Sequence, residues 1–268
     1  MTGSLRRQFD PRYYQATIQV SLLLWGIGSG YFSVSLASVF SILGAVLFSQ
    51  WCFTRHLELT LSPLSTLNTG LSIVLLLHAI HPGWLMLAAI LAVSSKFLLR
   101  LQGRHVFNPS NIGIVLVLLV TDSAWVAHGK WGHAIWWTLL LAGFGLIFLL
   151  GFKQMLTSFA FLATYIIVLL GRAIWLGDPL SIPMHQLQNG ALLIFTFFML
   201  SDPMTTPEKA SGRMIYGGWV AIMAGWLQFQ WFIPNAFLYA LACSSPLVLL
   251  INYKFKGSQF SWSIRSTS

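Results

Sequence analysis

Long apolar runs dominate the chain, and short polar segments separate them. Ten such runs predict membrane helices at 14–33, 35–53, 66–80, 84–100, 111–121, 133–151, 155–174, 187–200, 214–229 and 235–252. A helix needs about 20 apolar residues to cross a bilayer. The third, fifth and eighth runs are shorter than that, so we expect short or broken helices there.

Two proline-containing motifs occur twice, in the same order. Residues 63–70 read PLSTLNTG and residues 183–190 read PMHQLQNG, so both follow the pattern Pro-x-x-x-Leu-x-x-Gly. Residues 107–111 read FNPSN and residues 232–236 read FIPNA. The offsets within the two pairs are 120 and 125 residues, which indicates an internal repeat.

The repeat copies are expected at approximately 13–122 and 133–252. Each copy holds an odd number of predicted spans, so the two copies should be inverted in the membrane. With a cytoplasmic N-terminus, thirteen Lys and Arg residues fall on the inside, and only Lys130 and Arg172 fall outside. This distribution follows the positive-inside rule. The sequence therefore predicts an all-α polytopic protein of about ten transmembrane helices, with both termini in the cytoplasm.

Composition excludes several classes of protein. The 268 residues are 56% hydrophobic and 8% charged, whereas soluble domains carry about 25% charged residues. The chain is therefore expected to be surrounded by membrane lipids. The net charge of +9 follows the predicted loops and does not form a basic face, so no nucleic-acid partner is expected. No metal site and no self-contained catalytic motif are predicted.

The prolines in the short runs predict a polar site. A proline removes a backbone donor and breaks a helix, and free backbone groups inside a membrane need protein partners or a polar cavity. Paired broken helices therefore indicate a binding site near the membrane midplane. Alternatively, the polar residues beside the breaks only cap short helices. The candidates are Asn68, Thr69, Asn108, Asn111, Gln188, Asn189 and Asn235.

Two charged loops add further candidates. The segment LQGRHVFNPSN at 101–111 places Arg104 beside an Asn-Pro break. Arg104 either serves only as a cytoplasmic positive charge or holds a phosphate or flavin edge. The segment SDPMTTPEKASGR at 201–213 is predicted to be a structural or docking hairpin, in which Asp202 caps the loop or pairs with Arg213.

Three motifs carry a resemblance: DPRYYQ at 10–15, GRHVFNPSNIG at 103–113, and the SDP…TTP…GRMIYGG segment at 201–218. Over essentially its whole length the chain resembles the RnfD/NqrB family of membrane subunits in ion-translocating electron-transport complexes. It is also similar to shorter stand-alone relatives, including those of enediyne-type gene clusters. The resemblance implies ten helices in two inverted five-helix repeats, a fold similar to urea-transporter-type channels. It also implies a bacterial cytoplasmic membrane and other membrane or redox subunits as partners.

The resemblance also bears on the cofactor. In the electron-transport subunits, FMN is attached by a phosphoester to the threonine of a Ser-Gly-Ala-Thr motif. The corresponding segment here reads TDSAWVAHGKWGHA, so covalent FMN is not expected, and Thr205 and Thr206 lie on the opposite predicted side. We expect an electron-transport subunit with a non-covalent flavin, FMN or riboflavin, or a cofactor-less scaffold. The alternatives are a channel or transporter for a small neutral solute and a structural accessory subunit of an energy-converting complex.

Overall fold

The computed structural model describes residues 11–28, 30, 34–59, 62–101, 103–126, 143, 152–255 and 257. These residues are mostly helical. The helices are α1 (Pro11–Gly28), α2 (Leu36–His56), α3 (Pro63–Leu76), α4 (Pro82–Leu98), α5 (Pro109–Val120), α6 (Phe152–Leu176), α7 (Ser181–Leu187), α8 (Gly190–Ile194), α9 (Ala210–Gln230), α10 (Ala236–Ser244) and α11 (Leu247–Lys254). The strands are β1 (Leu77–Ala79), β2 (Arg100–Leu101), β3 (Arg104–His105) and β4 (Ala124–Val126).

Helices α3, α4 and α5 each begin with a proline. Proline suits the first helical position because the N–H group that it lacks would have no partner inside the helix. The ring of His81 accepts a hydrogen bond from the Gly83 N–H group at 3.1 Å, which caps α4. Asn108 Oδ1 accepts one from the Asn111 N–H group at 3.1 Å, which caps α5. The prolines in the sequence therefore fix where these helices begin.

Two short antiparallel ladders follow the helix ends. β1 pairs with β4, which joins the chain after α3 to the chain after α5. β2 pairs with β3 in a tight hairpin, and Gly103 in its turn has a φ of 78°, a conformation that glycine adopts without strain. The ladders pair backbone groups of the segments that follow these helices. The sequence did not predict them, because strands of two or three residues show no alternating pattern.

The predicted eighth run, 187–200, is a broken helix. α7 ends at Leu187, and the chain re-enters a helix at Gly190 after Asn189 Oδ1 accepts a hydrogen bond from the Ala191 N–H group at 2.9 Å. α8 then continues as a π-helix over Phe195–Met199, whose residues are all buried. Such widened turns occur frequently at functional sites.

By length and composition, two described helical segments can cross a membrane: Leu36–His56 and Leu156–Leu176. A third span is present if α10 and α11, which meet at an angle of 50°, are counted together. Four shorter apolar helices accompany them: Pro63–Leu76, Pro82–Leu98, Pro109–Val120 and Gly190–Met199. The chain is an α-helical membrane protein. The count of ten spans remains a prediction, and the sixth predicted span, 133–151, lies almost wholly outside the described residues.

Glycine allows α9 to approach α6 closely. A Cβ atom added at Gly217 would overlap the carbonyl oxygen of Thr157 and would lie 3.1 Å from the Phe161 nitrogen. Backbone atoms cannot move aside as a flexible side chain can, so this contact requires glycine. At the neighbouring Gly218, an added Cβ would meet only Thr164 Oγ1, at an ordinary distance of 3.5 Å.

The substitution Gly217→Ala should destabilise the protein by roughly 1–3 kcal/mol, because the new methyl group forces α9 away from α6. The matched substitution Gly218→Ala should be neutral or slightly stabilising, since alanine favours helix by about 1 kcal/mol over glycine. The thermal midpoints of the purified variants in detergent, followed by size-exclusion chromatography after heating, test this. Equal midpoints for the two variants would contradict the close approach.

Candidate functional site

A cavity of about 360 Å³ lies between the first five helices and the segment 198–204. The beginnings of α3 and α5 both face it, and side chains of α1, α2 and α4 complete its wall. We call it the cationic cavity. Its polar lining residues include Arg12, Gln50, Ser65, Asn68, Thr69, Lys96, Arg100, His105, Asn108, Ser110 and Asp202, and its apolar wall includes Phe97, Pro109 and Phe198.

Lys96 is a buried cation in the lining of this cavity. Its side chain extends from the last turn of α4, and the residue is only 8% exposed. The ammonium group donates hydrogen bonds to Gln50 Oε1 at 3.3 Å and Ser65 Oγ at 3.2 Å. Both acceptors are neutral. Within the described part of the chain, no carboxylate lies within ion-pair distance of this ammonium group.

Asp202 supplies a carboxylate to the cavity lining. Its Oδ1 accepts a hydrogen bond from the Met204 N–H group at 2.9 Å, and its Oδ2 accepts one from Asn108 Nδ2 at 3.4 Å. Burial raises the pKa of Asp202, while the Met204 hydrogen bond and the positive charges of Arg104 and Lys96 act in the opposite direction. Asp202 therefore caps its own loop and ties that loop to the start of α5.

His105, in the β2–β3 hairpin, is a neutral member of the site. Burial, together with the nearby charges of Lys96 and Arg100, lowers the pKa of His105 to about 4. The imidazole is therefore uncharged at neutral pH. Its Nδ1 atom is buried and has no hydrogen-bond partner among the described residues. Asn68 Oδ1 is a second buried acceptor of this kind, although Asn68 Nδ2 donates to the Arg12 carbonyl group at 3.1 Å.

The side chain of Arg104 binds the segment 203–208, part of which lines the cavity. Its Nε donates to the Met204 carbonyl group at 3.2 Å, and its Nη2 donates to those of Pro203 at 3.0 Å and Thr206 at 2.7 Å. Its Nη1 forms an ion pair with Glu208 Oε1 at 3.2 Å. The guanidinium group is thus occupied by the segment 203–208, and Arg104 is absent from the cavity lining.

The eight predicted binding residues do not lie together in the structure. Asn68, Thr69 and Asn108 line the cationic cavity. Asn189 and Asn235 line a second cavity of about 240 Å³, together with Tyr165, Gln186 and Gln228. Of the remaining three, Arg104 binds the loop as described, Asn111 donates to the Leu238 carbonyl group at 3.1 Å, and Gln188 follows α7 as its C-terminal cap.

Asp202 and Arg213 do not pair with each other. Arg213 donates from Nε to the Pro207 carbonyl group at 2.6 Å, and its buried Nη1 has no hydrogen-bond partner within the described residues. Both side chains shape the 201–213 segment, but through separate contacts. Asp202 was expected either to cap the loop or to pair with Arg213, and in the structure it caps the loop.

Sequence reasoning misses the chemical importance of Lys96, Gln50 and His105 for the cavity. In the sequence, Lys96 counts only as a positive charge that flanks a membrane helix. Its position offers a signal, because a single lysine one turn before the end of an apolar run has to place its ammonium group near the membrane. Gln50 carries a similar signal as an amide within the predicted second span.

The sequence profile of the NQR2, RnfD, RnfE family matches residues 122–261, just over half of the 268 residues. The chain belongs to this family. The matched region contains the segment 203–208 that Arg104 holds, whereas most residues that line the cationic cavity precede it. The family profile therefore matches the second half of the chain, and residues of both halves line the cavity.

Several proteins that are named as subunits of an ion-translocating oxidoreductase complex are similar to this family member. The one from Klebsiella pneumoniae (strain 342) is 23% identical over 275 residues, which cover 74% of this chain and 78% of the relative. The one from Cellvibrio japonicus (strain Ueda107) is 29% identical over 118 residues, 42% of this chain and 33% of the relative. The one from Shewanella piezotolerans (strain WP3 / JCM 13877) is 28% identical over 74 residues, 28% of this chain, and the chain spans 21% of that relative's length.

The Arg104 contacts predict that two substitutions destabilise the protein to different extents. Arg104→Gln should lower the free energy of unfolding by roughly 3 kcal/mol, because it leaves a largely buried carboxylate and several carbonyl groups without their donor. It should also speed tryptic cleavage after Lys209. Glu208→Gln should have a smaller effect, since the three contacts to carbonyl groups remain.

Arg172→Gln is the control for this experiment. Arg172 forms an ion pair with Asp178 at 3.4 Å, but about a third of each side chain is exposed, and such pairs contribute little. The measurements are thermal midpoints and the rate of cleavage after Lys209. If Arg104→Gln and Arg172→Gln behave alike, Arg104 does not hold the segment.

Proposed function

We propose that this protein is a membrane subunit of an electron-transport assembly and holds a flavin-type cofactor non-covalently in the cationic cavity. The observation that carries the proposal is a ligand-sized cavity, lined by charged, polar and apolar residues, in a chain of the NQR2, RnfD, RnfE family. Similar proteins are named as subunits of an ion-translocating oxidoreductase complex. A bound flavin would supply electron transfer, which side chains alone do not provide.

The residues of the cavity fit such a cofactor. A volume of about 360 Å³ lies within the range of small-molecule sites, roughly 300–1,000 Å³. Asn68 Oδ1 and His105 Nδ1 are buried acceptors that can receive a hydrogen bond from a flavin N–H or hydroxyl group. Lys96 can donate to a flavin oxygen, and Phe97, Phe198 and Pro109 offer apolar contact to a ring.

The proposed architecture is the ten-helix inverted repeat with copies at 13–122 and 133–252. Helix packing supports it, because α2 packs against α4 in the first copy and α6 packs against α9 in the second. The pairs α4–α5 and α9–α10 correspond in the same way. Residues of the repeated motifs line both cavities, Asn68 and Ser110 in the first and Asn189 and Asn235 in the second.

The proposed location is a bacterial cytoplasmic membrane, with both termini in the cytoplasm. Other subunits would deliver and receive the electrons, since the chain has two cysteines, too few for a cysteine-ligated cluster. Membrane lipids would surround the exposed apolar side chains, such as Phe40 and Ile174.

The proposal predicts that natively purified protein absorbs in the flavin region of the visible spectrum. After acid precipitation, the absorbance should move to the supernatant, because no covalent bond holds the cofactor. Fluorescence that stays on the denatured protein band in a gel would contradict non-covalent binding. A colourless protein that remains colourless after incubation with FMN or riboflavin and gel filtration would contradict a flavin role.

A channel for a small neutral solute is the second candidate. The second cavity favours it, because Gln186, Asn189, Gln228 and Asn235 bring neutral amide groups together there. Tyr165 donates to Gln228 Oε1 at 2.6 Å and fixes one of these amides. A colourless protein that accelerates solute entry into liposomes would support this function. A colourless, inactive protein that purifies only with partner subunits would indicate a structural role instead.

A further inference from the structure

We propose that the cationic cavity binds a phosphomonoester, and that Lys96 is the principal contact of its phosphate group. This inference deepens the proposed function. It rests on that function only for the flavin as ligand, whereas the phosphate site itself does not depend on it. Its consequence is a preference for FMN over riboflavin, which differ by the phosphate group.

Lys96 carries a buried positive charge with no carboxylate within ion-pair distance among the described residues. The residue is 8% exposed, and its ammonium group donates to the neutral oxygens of Gln50 and Ser65 and lies 5.9 Å from the centre of the Phe97 ring. Burying an ammonium group without a counter-charge is costly. The nearby carboxylate of Asp202 already accepts from Met204 and Asn108 on its own wall. An anion bound in the cavity would supply the missing negative charge.

The charge of the whole cavity also favours an anion. Lys96 and Arg100 face the cavity, and Asp202 is the sole acidic residue among the described residues of its lining. The first turn of α3 adds to this positive field, because no side chain caps it at Ser62. A helix N-terminus attracts phosphate groups through its free N–H groups and its dipole.

Two acceptors in the cavity, Asn68 Oδ1 and His105 Nδ1, have no hydrogen-bond partner among the described residues. Neither can bind a fully ionised phosphate oxygen, since acceptors repel acceptors. They require a ligand that donates hydrogen bonds beside its anionic group. A phosphomonoester of a polyol meets both requirements, because its hydroxyl groups donate while its phosphate group accepts. The ribityl phosphate of FMN and the glycerophosphate part of a lipid headgroup share this chemistry.

The test compares FMN with riboflavin on the detergent-purified, flavin-free protein in phosphate-free buffer, with binding followed by quenching of flavin fluorescence. FMN should bind about tenfold tighter than riboflavin or more. The substitution Lys96→Met should abolish this preference. Lys209→Met is the matched control, because Lys209 is exposed and lies 5.9 Å from the Phe255 ring, outside the cavity. It should keep the preference.

Lys96→Met should fold, and its thermal midpoint without ligand should equal or exceed that of the wild type, because it removes an unpaired buried charge. Lys96→Arg, which keeps the charge, gives a second measurement if the Met variant aggregates: it should retain a preference for FMN. Equal affinities for FMN and riboflavin in the wild type, or an unchanged preference in Lys96→Met, would overturn the inference.

Two further measurements identify the source of the phosphate group and distinguish failure of this inference from failure of the proposed function. If neither flavin binds but glycerol 3-phosphate raises the thermal midpoint of the wild type and not of Lys96→Met, the phosphate site stands and the flavin proposal fails. Stabilisation in nanodiscs by phosphatidic acid over phosphatidylcholine, again dependent on Lys96, would assign the site to a lipid headgroup. If both flavins bind equally and independently of Lys96, the flavin proposal stands and the phosphate inference fails.

Discussion

The guanidinium group of Arg104 holds the segment 203–208, and the cavity depends on where that segment lies. Three carbonyl groups and the Glu208 carboxylate accept from it. Two of those carbonyl groups belong to Pro203 and Met204, which form part of the cavity wall. An irregular segment cannot pair its own carbonyl groups, and buried carbonyl groups need donors. The planar guanidinium group provides several donors in a fixed arrangement, so one side chain from the first half of the chain organises a loop of the second.

The same demand for hydrogen-bond partners explains why the cavities lie at helix beginnings. Asn108 and Asn189 cap helices that begin inside the protein, and the first turns of these helices leave space for polar groups. The two cavities differ in chemistry. Lysine and arginine residues line the first, whereas neutral amides and a tyrosine line the second. A charged ligand in the first and a neutral environment in the second are compatible with one protein, because the cavities use separate residues.

The sequence predicted the parts of the fold that depend on composition and on proline. The apolar runs correspond to helices such as α2 and α6, and Pro63 and Pro109 mark helix beginnings as expected. The site was predicted less well. Arg104 lies about 100 residues from the carbonyl groups it binds, and nothing in local spacing reveals such a contact. Lys96 resembles an ordinary flanking charge in the sequence, because its burial results from the packing of α4 against α2 and α5.

The most direct test of this account is an experimental structure of the protein in a lipid nanodisc, determined at a resolution that shows side chains. We expect Arg104 to contact the carbonyl groups of residues 203, 204 and 206. We also expect an open cavity beside Lys96 with density for a bound group that is not protein. A collapsed cavity in which the Lys96 ammonium group forms an ion pair with Asp202, with the segment 203–208 away from Arg104, would contradict the account.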